Sequence, residues 1–423
     1  MKRYESYKDS GVKWLGEIPG HWDVKRLGSF FIERRVKVSD KDFAPLSVTK
    51  NGIFPQLENV AKSNDGDNRK LVRANDFVIN SRSDRKGSSG VSSFDGSVSL
   101  INIVLKPRNT VYPTFCNYLL KSIAFIEEYY RNGRGIVADL WTTRFDEMKI
   151  IKLAMPPKAE QTAIANYLDS VTSKIDEAIA QQQKMIDLLN ERKQIIINNA
   201  VTKGLNPDAP MKDSGVDWIG EICKDWRMYR LKHLLKTNLM YGANESAESE
   251  ETSYPRYIRI TDIDENGKLK PDTFRSLEPL KAEPYLLTRG DILFARSGAT
   301  AGKTYLFDED IKACFAGYLI KAQVSNKLLP RYLMYYTCSG IYDQWKNSIF
   351  IQATIQNIGA DKYANLRIPL PTIEEQKTIV SYLDTETMKI DKVLDTHKRQ
   401  ISLLQERKQI IINDVVTGKV KVL

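Results

Sequence analysis

The chain has 423 residues, enough for two or three domains, with 42% hydrophobic and 27% charged residues and a formal charge of +10. Such a basic excess suits a polyanionic partner such as nucleic acid, and no apolar run approaches the roughly 18 residues a membrane span needs. Four widely spaced cysteines with no C-x-x-C pair and only three histidines leave no zinc site of usual spacing, and a reduced, cytoplasmic protein with buried thiols is expected.

The opening stretch, MKRYESYKDS, lacks an apolar core, so no signal peptide is expected. It leads into KDSGVKWLGEIPGHWDVKRL (8–27), which returns 204 residues later as KDSGVDWIGEICKDWRMYRL (212–231) with 12 of 20 positions identical. Such internal similarity is the first feature to settle, because it sets the fold.

In the first middle, KLVRANDFVINSR and VSLINIVLKPR read as strands and YPTFCNYLLKSIAFIEEYYRN as a helix. The loop after the first strand carries Arg82, Ser83, Arg85 and Lys86, and the later stretch 131–145 carries Arg134, Trp141, Thr143 and Arg144. These side chains can donate to phosphates or read base edges. A solvated loop, with Trp141 in the core, is the plain alternative. Glu147-Met-Lys149 has the E-x-K of some nucleases but no Pro-Asp before it, and Met155-Pro156-Pro157 lacks the flanking residues of a methyltransferase motif.

From Pro156 the chain reads PPKAEQTAIANYLDSVTSKID, echoed at offset 215 by PTIEEQKTIVSYLDTETMKID from Pro371, and each runs on into ERKQIIIN. Residues Ile164, Leu168, Val171, Ile175, Ala178, Met185, Leu189 and Ile196 follow the alternating four-three spacing of a heptad seam, with Gln182 and Arg192 in the gaps. The second copy gives Ile379, Leu383, Ile390, Val393, Leu404 and Ile411. Neither run meets Gly or Pro before Gly204 or Gly418, so two helices of about forty residues that pair with each other are expected. Between them lies the linker after Lys203, GLNPDAPM.

The second middle repeats the order: YLLTRGDILFARS, KTYLF and GYLIKAQV as strands, LLPRYLMYYTCSGIYDQW as a helix. Within it RSGATAGKT (296–304) ends like an ATP-binding loop. Gly298 and Gly302 are three residues apart where four are needed, and a strand rather than a helix follows. Aligned on Asp76 and Asp291, it becomes a second recognition loop, with Arg82-Ser83 matched to Arg296-Ser297 and Lys303 within reach of a base. Gln352, Thr354, Gln356 and Asn357 stand where the first copy has the 131–145 stretch.

The entry motif SGVxWxGEI…W (Ser10 to Trp22, Ser214 to Trp226), the closing motif PxxxEQxxIxxYLD and ERKQIIIN, each present twice, resemble the specificity (S) subunit of type I restriction–modification systems. The resemblance implies an α+β chain of two similar mixed α/β target recognition domains, joined by two long helices forming an antiparallel coiled coil with pseudo-two-fold symmetry. The expected divisions are 1–155 and 204–370 for recognition, and 156–203 and 371–423 for the helices. It further implies no catalysis by the chain itself, recognition of a split double-stranded DNA target, docking of two methyltransferase subunits with restriction subunits as further partners, and S-adenosylmethionine, ATP and Mg²⁺ on those partners. A stand-alone DNA-binding regulator with two DNA-binding domains is the alternative.

Overall fold

The computed structural model describes residues 2–56, 66–135, 141–246, 248–264, 267–350 and 356–422. They form two compact units, 1–183 with 398–423, and 184–397. The division falls inside both long helices, Lys158–Thr202 and Ile373–Val416, so each unit holds a half of each.

Unit 1 is built on a four-stranded antiparallel sheet in the order Ser89–Val91, Phe77–Asn80, Asn102–Pro107, Phe31–Glu33. A three-stranded sheet (Gly96–Val98, Arg69–Val72, Lys37–Val38) and the hairpin Leu46–Thr49/Gly52–Pro55 flank it. The sequence expectation of one strand over 70–82 divides into two, because Asn75 adopts a left-handed φ of 73° and Asp76 takes the Arg73 amide at 2.9 Å, making a turn. Unit 2 makes the same turn with Gly290 (φ 96°) and Asp291, whose carboxylate takes the Thr288 amide. Its four-stranded sheet runs Met240–Tyr241, Leu319–Ala322, Ile292–Ala295, Thr304–Leu306.

The single helix expected in each middle is two. Pro113–Leu120 and Ile123–Arg131 break at Ser122; Pro330–Thr337 and Gly340–Phe350 break at Ser339. Each serine hydroxyl donates back to the carbonyl three residues earlier, Leu119 or Tyr336, and accepts the amide three residues on, Phe125 or Tyr342. A serine that ends one helix and caps the next is a local breaker.

The repeated motifs are explained by bonds that recur residue for residue. Trp22 and Trp226, both nearly fully buried, donate their indole N–H to Glu160 (3.2 Å) and Glu375 (3.0 Å) in the first turns of the long helices. Gln161 and Gln376, also buried, each accept an amide from the preceding helical pair (Tyr112, Leu329) and donate to two carbonyls, Thr110 and Pro156 or Lys327 and Pro371. Tyr118 and Tyr335, whose phenols burial pushes up to about 12, donate to Asp169 and Asp384. The Glu of the closing motif therefore ties the entry motif to the helix, while its Gln and the Asp of YLD clamp each middle to it.

Gly204 (φ 75°) and Gly418 (φ 78°) follow the two helix ends, where glycine supplies the left-handed residue that stops a helix. A Cβ there would lie 3.2 Å from Trp226 and Trp22 respectively, so in unit 1 the end of the second helix meets the start of the first through Trp22, and in unit 2 the reverse holds through Trp226. Further in, Asp176 meets Lys408 (2.6 Å) and Lys193 meets Asp391 (2.6 Å). Within each unit the helix halves thus run antiparallel. The seam differs from the sequence expectation: Met185 and Val393 are exposed, while their neighbours Ile186 and Leu394 are buried. The cause is the drift of a 3.6-residue helix against a fixed alternation. Of the thiols, Cys116, Cys223 and Cys314 are buried but Cys338 is exposed, unlike the expectation for all four.

Candidate nucleic-acid interface

In unit 1 the two stretches singled out from sequence meet. The Ser81 carbonyl accepts the Thr143 amide (3.0 Å), Arg82 bridges Thr142, and Arg134 and Thr142 exchange both backbone bonds (2.8 and 2.9 Å). The Tyr130 hydroxyl donates to the Arg82 carbonyl and the Trp141 indole to the Tyr130 carbonyl, so Trp141 buttresses the loop from behind.

The result is a groove of about 410 Å³ lined by Arg82, Arg144, Arg35 and Lys70, by the carboxylates Glu33 and Asp146, and by the exposed apolar side chains of Leu100 and Ile101. Arg35 and Lys70 are engaged by Glu33, and Asp146 by Lys149. Among the described residues, no carboxylate stands within ion-pair reach of Arg82 or Arg144. Two uncompensated guanidiniums beside a groove form a local anion-attracting feature.

The other expected contacts are placed differently. Ser83 opens the turn Ser83–Arg85. Arg85 is exposed beside Asp84, and Arg134 is exposed beside Glu147. Lys86 lies on Glu127 at 2.6 Å and over the Tyr130 ring. Thr143 is fully buried, with its hydroxyl donating to Tyr129, so it positions the loop and presents nothing to a ligand.

Unit 2 ties its loop down the same way. The Arg296 carbonyl accepts the Ile358 amide (2.7 Å), Ser297 bridges Asn357, and the Gln356 carbonyl accepts the Gly298 amide. By this register Arg82 corresponds to Ser297 and Ser81 to Arg296. The matching of Arg82-Ser83 to Arg296-Ser297 is therefore one residue out, since the strands after Asp76 and Asp291 are equally long and the first loop carries one extra residue before its Arg. Arg296 lies over the Tyr241 ring at 5.0 Å.

Gly302 (φ 85°) lies against the Lys346 side chain, leaving no room for a Cβ. The Lys303 ammonium donates to the carbonyls of Ile263 and Asp264, and Thr304 begins a strand. The GKT letters thus hold a loop to its own domain rather than opening a phosphate-binding helix, and Lys303 is engaged within the fold. Gln356 is exposed; Gln352 and Thr354 lie outside the described residues.

What sequence reasoning missed are Arg35 and Lys70. They stand about 47 and 12 residues upstream of the loop, Lys70 on the strand Arg69–Val72 and Arg35 in the short connection between Phe31–Glu33 and Lys37–Val38; the fold brings both to the same groove, and no local pattern marks them.

One further feature repeats in both helices. Leu188 and Ile195 are about half exposed, and so are Leu403 and Ile410, each pair one heptad apart and offset by 215. No helix among the described residues is long and apolar enough to cross a membrane.

Residues 223–408 match the family model of the type I restriction modification DNA specificity domain. The MjaVIII type I restriction enzyme specificity subunit of Methanocaldococcus jannaschii is 25% identical over 98% of this chain and 97% of its own length. The EcoKI specificity subunit of Escherichia coli K12 is 22% identical over 90% and 86%. A solved structure of a type I R-M system, described for its complex assembly and conformational transition, superposes with a TM-score of 0.69 at 17% identity, covering 95% of this chain and 99% of that one, and so shares the fold. With a domain match over residues 223–408 and relatives alike along nearly its whole length, the chain is similar to the specificity subunits of type I restriction enzymes.

Proposed function

We propose that this chain recognises a bipartite double-stranded DNA target, each unit reading one half, and delivers two methyltransferase subunits to it. The observation that carries this reading is the contrast within the repeat. The clamps around Trp22/Trp226, Gln161/Gln376 and Tyr118/Tyr335 recur bond for bond, whereas the loops they hold up share almost no side chains. One scaffold carrying two different loops is the arrangement expected of two readers with different half-sites.

In unit 1 the reading surface centres on Arg82, Arg134 and Arg144, with Arg85, Lys86 and Ser83 beside it. In unit 2 it centres on Arg296, Ser297 and Gln356; Gln352 and Thr354, which lie outside the described residues, are assigned to it from the sequence alone. The arginines supply phosphate attraction and bidentate contacts to guanine; the amides suit adenine.

The matched exposed strips Leu188/Ile195 and Leu403/Ile410 provide one partner-facing surface per helix, which supports two methyltransferase copies. The chain itself carries no cofactor in this reading. S-adenosylmethionine, ATP and Mg²⁺ enter with the methyltransferase and restriction subunits, and the assembly works in the cytoplasm.

The test is to co-express the chain with its methyltransferase subunit in a host lacking other adenine methylation and to map modified bases genome-wide. Two short, different half-sites separated by a constant unread gap are expected. A single contiguous site, or methylation without sequence preference, contradicts the proposal. Tight specific binding by the chain alone, unchanged by the partner, favours a stand-alone regulator instead.

A further inference from the structure

Unit 1 contains a larger cleft than the arginine groove, about 730 Å³, bounded by the hairpin Leu46–Pro55, the ends of the strands Phe77–Asn80 and Asn102–Pro107, and the turn at Arg85. Two of its lining groups lack the partner their burial calls for. Arg69 is only 7% exposed, and its guanidinium is held by the Ser97 hydroxyl (2.8 Å) and carbonyl (3.0 Å); among the described residues no carboxylate forms an ion pair with it, and Asp40 favours its charge only from a distance. Asn102 is 4% exposed; its amide nitrogen donates to the Ser99 carbonyl and hydroxyl, and its Oδ1 has no donor. A carbonyl only accepts, so the Ser99 bond fixes which end of the amide is nitrogen and leaves the oxygen unpaired. A buried charge without a contacting counter-charge and a buried acceptor without a donor are each unfavourable unless something else completes them.

Asn80 accepts the Arg82 amide on its Oδ1 (3.0 Å) and so shapes the loop that follows it, whereas the Asn102 Oδ1 holds nothing among the described residues. Asn102 stands opposite Asn80 in the strand ladder, and Asn80 also lines the cleft. At the corresponding end of its sheet, unit 2 pairs Ala295 with Leu319, both fully buried and apolar. The same scaffold therefore closes well on hydrocarbon, and the asparagine pair is an addition peculiar to unit 1.

An occupant that satisfies both groups has a negative charge for Arg69 and an N–H donor for Asn102. A nucleotide has both, in its phosphate and in the exocyclic amine of adenine, cytosine or guanine. We propose that this cleft binds one nucleotide unit, with its phosphate toward Arg69 and the amino-bearing edge of its base toward Asn102. The nucleotide comes either from bound DNA, as a residue turned out of the helix, or free in solution. The first source rests on the DNA-recognition reading above; the second does not.

The experiment uses the full chain assembled with its methyltransferase subunit. One arm titrates the four deoxynucleoside 5′-monophosphates, the matching nucleosides and inorganic phosphate, read by calorimetry. The other places 2-aminopurine or pyrrolocytosine at each position of the unit 1 half-site in duplex DNA and reads the rise in emission on unstacking. Both are repeated with Asn102→Leu, the residue unit 2 carries at that position, which leaves the Asn80–Arg82 bond in place; the nucleotide arm alone is repeated with Arg85→Glu, because Arg85 also stands beside the DNA-reading surface. Recognition of the unit 2 half-site reports that each variant is folded.

The expected result is a response in at least one arm, thymidine monophosphate binding weakest because thymine offers only its ring N3–H, whose two flanking carbonyls repel the Asn102 oxygen, where the other bases offer an exocyclic amine. Asn102→Leu should weaken the response about tenfold, roughly one lost hydrogen bond to a buried group, and Arg85→Glu should weaken nucleotide binding several-fold through its added negative charge. A response only to free nucleotides assigns a soluble ligand; a response only in DNA assigns an extruded base. Silence in both arms, equal binding of all four monophosphates, or variants that bind like the parent overturns the proposal. Silence alongside a normal bipartite methylation pattern removes the cleft and leaves the function standing; mononucleotide binding without sequence-specific methylation does the opposite.

Discussion

Replacing Gln376 by alanine tests whether the repeated motif acts as a clamp. The side chain is fully buried and makes three bonds: it accepts the Leu329 amide at 2.8 Å and donates to the carbonyls of Lys327 (2.9 Å) and Pro371 (3.0 Å). Truncation strands one donor and two acceptors. At about 1 kcal/mol for each bond that water can partly replace, and up to about 3 for the most enclosed, the change should destabilise the clamp by about 2–4 kcal/mol. A two-unit chain need not unfold in one step, so a global melting curve is a poor reporter. Hydrogen exchange at the Leu329 amide reads the clamp directly, and the predicted loss corresponds to roughly thirtyfold to a thousandfold faster exchange there. Gln376→Glu should not rescue it, because the new oxygen faces two carbonyl oxygens that it cannot donate to. Gln161→Ala should do the same to the Tyr112 amide in unit 1 and leave Leu329 protected. If both amides keep their protection within about threefold, the clamp is ornamental and the reasoning fails.

Three further outcomes are expected. Arg82→Ala and Arg144→Ala should each weaken DNA binding and lower the slope of log affinity against log salt by about one, measured by fluorescence anisotropy, if each guanidinium meets a phosphate; an unchanged slope removes that residue from the interface. Leu188→Glu/Ile195→Glu on one helix, or Leu403→Glu/Ile410→Glu on the other, should each leave one methyltransferase subunit bound rather than two in native mass spectrometry, and full occupancy in both variants contradicts the docking strips. Inserting four residues after Gln183 together with four after His397 lengthens each helix by about 6 Å; the unread gap in the methylated site should grow by roughly two base pairs at about 3.4 Å each, and an unchanged gap in an active complex rules out a helical spacer.

Much of the architecture was legible because the chain is its own alignment. Two copies of the entry and closing motifs marked the repeated scaffold, and the absence of Gly and Pro up to Gly204 and Gly418 marked the long helices. Legibility ended where partners are distant or where one residue decides. Glu160 and Glu375 meet tryptophans 138 and 149 positions away, so nothing local shows what they do. The helix breaks at Ser122 and Ser339 turn on one hydroxyl each, hidden within apolar periodicity that runs across them. The seam slipped by one residue near Met185 because a strict four-three alternation does not follow a real helix turn for long. The loops were hardest of all: Arg82 and Arg296 look alike in sequence, yet the backbone bonds to Thr143 and Ile358 put them one position apart. Thr143 has a reader's chemistry but fills the core position that Ile358 fills in unit 2.

The central claim is that each unit reads its own half of the target. The direct measurement exchanges the segment 28–155 for the equivalent segment of a type I specificity subunit similar to this chain, keeps the rest of the chain, and maps methylated sites genome-wide with the same methyltransferase subunit. The account predicts that one half-site changes to that of the donor while the other half and the gap stay as they were. If both halves change together, or if neither does in an active complex, the two-reader account is contradicted.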